Sequence, residues 1–165
     1  MGIVVSETTT VKDFLDVVLP KAYEAGLHNV PAKYSSDMFL LLHSMTTLLI
    51  ADQLSNYLAL QAKQVERLIR EYKEETWLAA FLHDILKEAN SKGVKVDHQD
   101  IRPDDVTLWL DNLGIELART TPIRIAARIA VHERGGLPLL TGLADVGEDD
   151  LPQMIIRLSD QLASL

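Results

Sequence analysis

His83 and Asp84 are adjacent within the stretch Trp77-Leu-Ala-Ala-Phe-Leu-His-Asp-Ile-Leu-Lys87. An imidazole and a carboxylate inside an apolar helical run are expensive to bury, and a bound metal ion is one of the few things that offsets the cost. Two more polar groups have similar surroundings: His43 after Leu41-Leu42, and Asp160 in Ile156-Arg-Leu-Ser-Asp. Three polar sites on three different helices are most naturally explained if they converge. Two imidazoles and two carboxylates make a mixed nitrogen and oxygen shell with positions left for water and phosphate oxygens, an open and catalytic type of metal site. The alternative is a set of satisfied core histidines, with Asp84 and Asp160 paired to Arg157 or Lys87.

The bulk composition limits the chemistry further. The 165 residues suit one domain with a sizeable core, and 47% hydrophobic residues mark a globular chain. There is no cysteine. That excludes disulfides, thiolate zinc sites and cysteine nucleophiles, and it fits a reducing cytoplasm. Any metal must then use His, Asp, Glu or water, which favours Mn, Ni, Co, Fe or Mg. A net charge of −8 argues against coating duplex nucleic acid by charge alone. It leaves room for a nuclease whose bound cation supplies the local field. The N-terminus lacks the basic and apolar regions of a signal peptide, and the run from Met38 to Ala51 is too short and too polar to span a membrane.

The elements that must position these residues read as helix after helix, so the expected class is all-α. Thr9 or Thr10 caps a first helix from Val11 to about Glu24, ended by Gly26, with Pro20 kinking or shortening it. Ser35-Ser36-Asp37 is an N-cap cluster for a long helix through Leu60 that carries His43. A third helix is expected from about Gln64 to Ala89, with Thr76 capping a second segment within it. Residues 90–103 are polar and read as a loop with a possible strand at Val94 and Val96. Pro103 starts a helix that Gly114 stops. Thr121-Pro122 starts another, through about Arg134, and Glu148-Asp149-Asp150 favours the N-terminus of a last helix from Leu151 to Leu165. That helix is still periodic where the sequence stops, which suggests a single domain, residues 1–165, at the N-terminal end of a longer polypeptide.

The order His43 … His83-Asp84 … Asp160 is similar to the H … HD … D signature of the HD superfamily of metal-dependent phosphohydrolases. The resemblance runs from about Met38 to Leu165 and implies a compact helical bundle of about six to seven helices. Carried over residue by residue, it implies that His43, His83, Asp84 and Asp160 ligate one or two divalent ions, with Asp84 able to bridge two. Such an ion polarises a phosphoryl oxygen and activates water for attack on phosphorus. Many members read His-Asp-Ile-Gly-Lys. Here Leu86 replaces the glycine and Lys87 remains, placed to contact a phosphate or to pair with Glu88 or Glu74. His132, followed by Glu133, stands where two-metal members carry a fuller histidine group. It is a candidate fifth ligand or a helix-end histidine stabilised by the dipole.

Other residues have plainer readings. His28 and His98 are expected in solvent, Asp97 and Asp100 beside His98 lack a rigid support, and Trp77 and Trp109 are core candidates. Arg124, Arg128 and His132 follow an i, i+4 stripe. With Arg134, Lys87, Lys92 and Lys95 the two arginines form a candidate substrate-binding rim.

Within the superfamily, Ile155-Ile-Arg-Leu-Ser-Asp-Gln-Leu-Ala-Ser164 and Trp77-Leu-Ala-Ala-Phe-Leu-His-Asp resemble CRISPR-associated HD nucleases, in particular the N-terminal domain of a type I-D large subunit or the nuclease of type I helicase-nucleases. That resemblance implies metal-dependent cleavage of single-stranded DNA in antiviral defence, with other effector subunits as partners and no membrane. The enzyme alternative is a nucleotide phosphohydrolase of the 5′-deoxynucleotidase kind, which suits the acidic charge. The non-enzyme alternative is an interaction module of a larger complex.

Overall fold

The computed structural model describes residues 2–31, 39–93, 96–131, 147–148 and 150–164. Among them are eight α-helical segments, as the all-α reading expects. The first, α1 (Val11–Glu24), opens with a capping box. The Thr10 hydroxyl accepts from the Asp13 backbone N–H at 3.1 Å, and the Asp13 carboxylate accepts from the Thr10 N–H at 3.4 Å. Pro20 does not shorten it. Phe14, Val18 and Ala22 form a buried i, i+4, i+8 stripe, and this burial carries the helix past the proline to Glu24. Gly26, at φ 78°, then takes the left-handed conformation that ends it.

The second helix, α2 (Leu40–Ala59), follows Phe39, which makes no side-chain cap. The Ser35–Asp37 cap expected from the sequence lies outside the described residues. The single helix expected over 64–89 is three: α3 (Lys63–Glu71), α4 (Lys73–Leu82) and the five-residue α5 (Lys87–Ser91). The first break is at Tyr72, with φ −103° and ψ 15°, not at Thr76, which is buried within α4. Breaking there lets Glu74 and Glu75 turn inward, Glu74 to the backbone N–H groups of residues 118–120 and Glu75 to Arg124 and Arg128. The second break follows Leu82. Turn bonds from Ile85 N–H to the Leu82 carbonyl, 3.0 Å, and from Lys87 N–H to the Asp84 carbonyl, 3.0 Å, replace the α ladder. His83 and Asp84 therefore sit at the end of a helix rather than inside one.

A short 3₁₀ turn at His98–Asp100 precedes α6 (Pro103–Leu113), which ends at Gly114 with φ 72°. Next comes a feature the helical reading missed, a parallel pair of two-residue strands, β1 (Ile3–Val4) and β2 (Ile115–Glu116). Two residues are too few to show alternation. The last two helices are α7 (Pro122–Ala130), capped by the Thr121 hydroxyl, and α8 (Asp150–Ala163). Residues 132–134, expected to extend α7, and the Val94 segment fall outside the described residues.

α4 is the centre of the bundle. Every residue from Glu74 to Leu82 is buried, so α4 is covered on all sides, with α2, α7 and α8 packed around it. Phe14 from α1 meets Trp77 and Phe81 edge-on, with ring centroids 6.0 and 5.4 Å away. No helix among the described residues is long and apolar enough to cross a membrane.

Candidate metal centre

Three helices deliver the four groups. His43 lies one turn into α2, the His83-Asp84 pair ends α4, and Asp160 lies near the end of α8. One ligand atom from each falls within 4.8 Å of all the others. The His43 and His83 Nε2 atoms are 3.1 Å apart. Asp160 Oδ1 lies 3.0 Å from the first and 2.9 Å from the second. Asp84 Oδ2 lies 3.4 Å from His43 Nε2 and 3.2 Å from His83 Nε2.

These separations fit a metal shell. Two ligand atoms about 2.1 Å from a common ion are about 3.0 Å apart at neighbouring octahedral positions and about 3.4 Å apart in a tetrahedron. The donor set fits as well. His83 Nδ1 lies 2.7 Å from the Ala80 carbonyl, which can only accept, so that nitrogen carries the proton. The neutral ring then turns the Nε2 lone pair toward Asp160 and His43. Lone pairs from two imidazoles and two carboxylates facing one another repel unless a cation lies among them. The backbone bond is also the outer support that orients a ligating histidine. His43 Nδ1 is buried and has no such partner among the described residues.

Without an ion, protons must do the work. Burial pushes the His83 imidazole down, but the Asp84 and Asp160 carboxylates outweigh it and hold its pKa up at about 10. Burial likewise pushes Asp84 up, and the charged His83 ring and the Lys87 ammonium overcome that, leaving Asp84 well below the usual carboxylate range. The cluster has a dry side and a wet side. The histidine side chains are 3% and 0% exposed, against 13% for Asp84, 18% for Asp160 and 33% for Lys87. A ligand reaches the centre across the carboxylates and Lys87.

Lys87 Nζ lies 3.1 Å from Asp84 Oδ2. The pairing of Asp84 with Lys87 that the sequence raised is thus present, and Asp84 keeps both histidine contacts alongside it. Arg124 and Arg128 are placed elsewhere. Both reach Glu75 near the start of α4, with Nε to carboxylate distances of 2.6 and 2.8 Å. His132 lies outside the described residues. Asp100 accepts from the Asp97 N–H at 3.0 Å, closing a local turn. Trp77 and Trp109 are buried.

Sequence reasoning missed the buried acids Glu74 and Glu75. Glu74 is 3% exposed and accepts the N–H groups of Ala118, Arg119 and Thr120 at 2.8, 2.8 and 2.7 Å. Glu75 is 2% exposed and takes both arginines and the Thr120 hydroxyl, so its pKa is lowered despite burial. The available signal was their place, immediately before an apolar run, opposite an i, i+4 pair of arginines.

A helical bundle with two histidines and two aspartates converging at the end of its central helix defines a class of metal-dependent hydrolase. The chain matches the HD domain family over residues 40–165. It belongs to that family, whose members are in general metal-dependent hydrolases. The comparisons with curated proteins and with solved structures return no match for this chain.

Proposed function

We propose that this chain is a metal-dependent phosphodiesterase domain that cleaves single-stranded DNA, with the site at His43, His83, Asp84 and Asp160. The convergence of these four ligand atoms within 4.8 Å carries the reading of the chemistry. The motifs around His83-Asp84 and Asp160 supply the substrate class, through their likeness to CRISPR-associated HD nucleases. The same likeness makes other effector subunits the expected partners and a cytoplasmic setting the expected place.

When bound, a divalent ion supplies Lewis acidity, polarising a phosphoryl oxygen and making water acidic enough to attack at neutral pH. The protein supplies the rest. The Ala80 carbonyl fixes the His83 ring, so its Nε2 faces the other ligands. Asp84 and Asp160 bring two negative charges that favour a divalent cation over a proton. They also form the solvent-facing edge across which a phosphodiester approaches. Lys87, on that edge, offers an N–H to a non-bridging phosphate oxygen, where negative charge grows as phosphorus becomes five-coordinate.

A nucleotide phosphohydrolase is the second reading, favoured by one observation. Arg124 and Arg128, the candidate basic track for a strand, are engaged with Glu75, and the net charge is −8. A mononucleotide needs no such track. The purified chain, loaded in turn with Mn²⁺, Ni²⁺ and Mg²⁺, is to be tested on labelled single-stranded DNA and on deoxynucleoside monophosphates. Strand cleavage that disappears in Asp84→Ala supports the nuclease, and phosphate release from monophosphates alone replaces it with the second reading. Neither activity nor bound metal would make the chain an interaction module.

A further inference from the structure

A second polar assembly crosses the same helices at some distance from the metal centre. It begins at Glu75, 2% exposed, whose carboxylate accepts from Arg128 Nε at 2.8 Å. Arg128, 8% exposed, reaches on from α7 to α8, where its Nη1 lies 3.5 Å from Gln153 Oε1. The Gln153 amide donates back to the Arg128 and Val131 carbonyls, each at 3.1 Å. One chain of hydrogen bonds, Glu75 to Arg128 to Gln153, therefore ties α4, α7 and α8 together.

Its position along the helices is the informative part. Glu75 lies eight residues before His83, and Gln153 lies seven before Asp160. At 1.5 Å per residue both intervals are about two turns, roughly 11 Å. α4 and α8 thus run in the same sense from this brace to the ligands they carry. Apolar side chains packed ridge into groove fix the angle between two helices better than their axial height, because neighbouring offsets bury similar area. Directional hydrogen bonds fix the height. The height matters at the far end, where His83 Nε2 and Asp160 Oδ1 must stay near 2.9 Å. A displacement of about 1 Å at a reacting centre costs about 10²-fold in rate.

We propose that Gln153, with Arg128 and Glu75, is a positioning device that sets the axial register of α8 on α4 and so the geometry of the His83–Asp160 half of the metal centre. This inference rests on reading the four-residue cluster as a metal centre.

Co²⁺ is the probe, because its visible absorption reports the geometry of its ligands and its titration gives an affinity without any substrate. Gln153→Met keeps length and loses every hydrogen bond. Arg128→Lys keeps the charge and loses the fork, and it carries the test if Gln153→Met does not fold. Val106→Ala, a core truncation in α6, controls for loss of stability alone. The expected result is a changed Co²⁺ spectrum and about tenfold weaker binding in Gln153→Met, the size seen for outer supports of metal ligands. A smaller change in the same direction is expected in Arg128→Lys, with the wild-type spectrum and affinity in Val106→Ala. Wild-type Co²⁺ binding in both brace variants overturns the positioning role while leaving the metal centre intact. An equal spectral change in Val106→Ala also overturns it. If the wild-type chain binds no Co²⁺, the metal reading fails first and the inference falls with it.

Discussion

The Nε2 atoms of His43 and His83 lie 3.1 Å apart, although 40 positions separate the two residues in the chain. Two ring nitrogens at that distance share a single proton or a common cation. Asp160 Oδ1, about equally close to both, makes the cation the better solution. Replacing an anionic ligand should therefore remove metal without removing the fold. In Asp160→Asn and Asp84→Asn we expect metal affinity to fall by about 10²-fold or more, beyond the usual effect of outer supports. Titration of metal into chelator-treated protein, with circular dichroism as the folding control, measures this.

The same cluster sets opposite pH trends for the stability of the metal-free protein and for the gain that metal brings. In the metal-free protein the His83 pKa is raised to about 10, above its unfolded value of about 6.5. The stabilisation it brings is complete below pH 6.5 and is lost as pH rises toward 10. Asp84 is shifted down, so its contribution is present above its unfolded pKa of about 4 and is lost as pH falls through its lower folded value. Metal-free protein should thus be stabilised most by this cluster between about pH 4 and 6.5, and its melting temperature should decline toward pH 9. Metal competes with the His83 proton, so the metal-induced rise in melting temperature should grow over the same interval. Melting curves with chelator and with excess Mn²⁺ test both slopes. A metal-induced rise that shrinks with pH would contradict the assignment of His83 as a ligand.

How much of this was legible in the sequence depends on what each residue competes against. His43, His83, Asp84 and Asp160 stood out because a polar side chain in an apolar helix has no cheap local explanation. The ends marked by Thr10, Gly26 and Gly114 were legible because caps act within a few residues. The break at Tyr72 was not. Lys63 to Leu82 has continuous helical periodicity, and only the tertiary pairing of Glu74 with residues 118–120, and of Glu75 with Arg124 and Arg128, makes the interruption favourable. The stripe of Arg124 and Arg128 was visible, but a stripe states a direction and not what lies along it. The buried Glu75 was as plausible a target as phosphate, and it is 49 residues from Arg124 and 53 from Arg128 in sequence.

Lys87 offers a prediction with two opposed signs. Its ammonium lies 3.1 Å from Asp84 Oδ2, so it competes with a metal ion for that oxygen while standing at the open edge of the site. Lys87→Ala should bind metal at least as tightly as wild type. Its KM for a phosphoester should rise about tenfold, the worth of one charge-assisted hydrogen bond of about 1.5 kcal/mol. Metal titration and steady-state kinetics on the same preparation separate the two effects. Weaker metal binding in Lys87→Ala would show that the lysine orients Asp84 rather than meeting substrate.

Glu74 tests whether the start of α4 is fixed by its acids. Its buried carboxylate accepts three consecutive backbone N–H groups, from Ala118, Arg119 and Thr120, in the turn that leads into α7. All three donors face one side chain, so an acceptor-only group is required. Glu74→Gln places an NH₂ against at least one of those donors and removes the charge. The expected cost is about 3 kcal/mol, from weakened charge-assisted bonds and one buried donor left without an acceptor. For a chain of this length that lowers the melting temperature by about 10 °C. Glu74 holds the turn at 118–120 and, unlike its neighbour Glu75, takes no part in the hydrogen-bond chain that reaches Gln153 on α8. Metal affinity measured well below the melting temperature should consequently stay close to wild type. A variant that loses metal while keeping its melting temperature would place Glu74 in the metal centre's support instead of in the α4–α7 anchor.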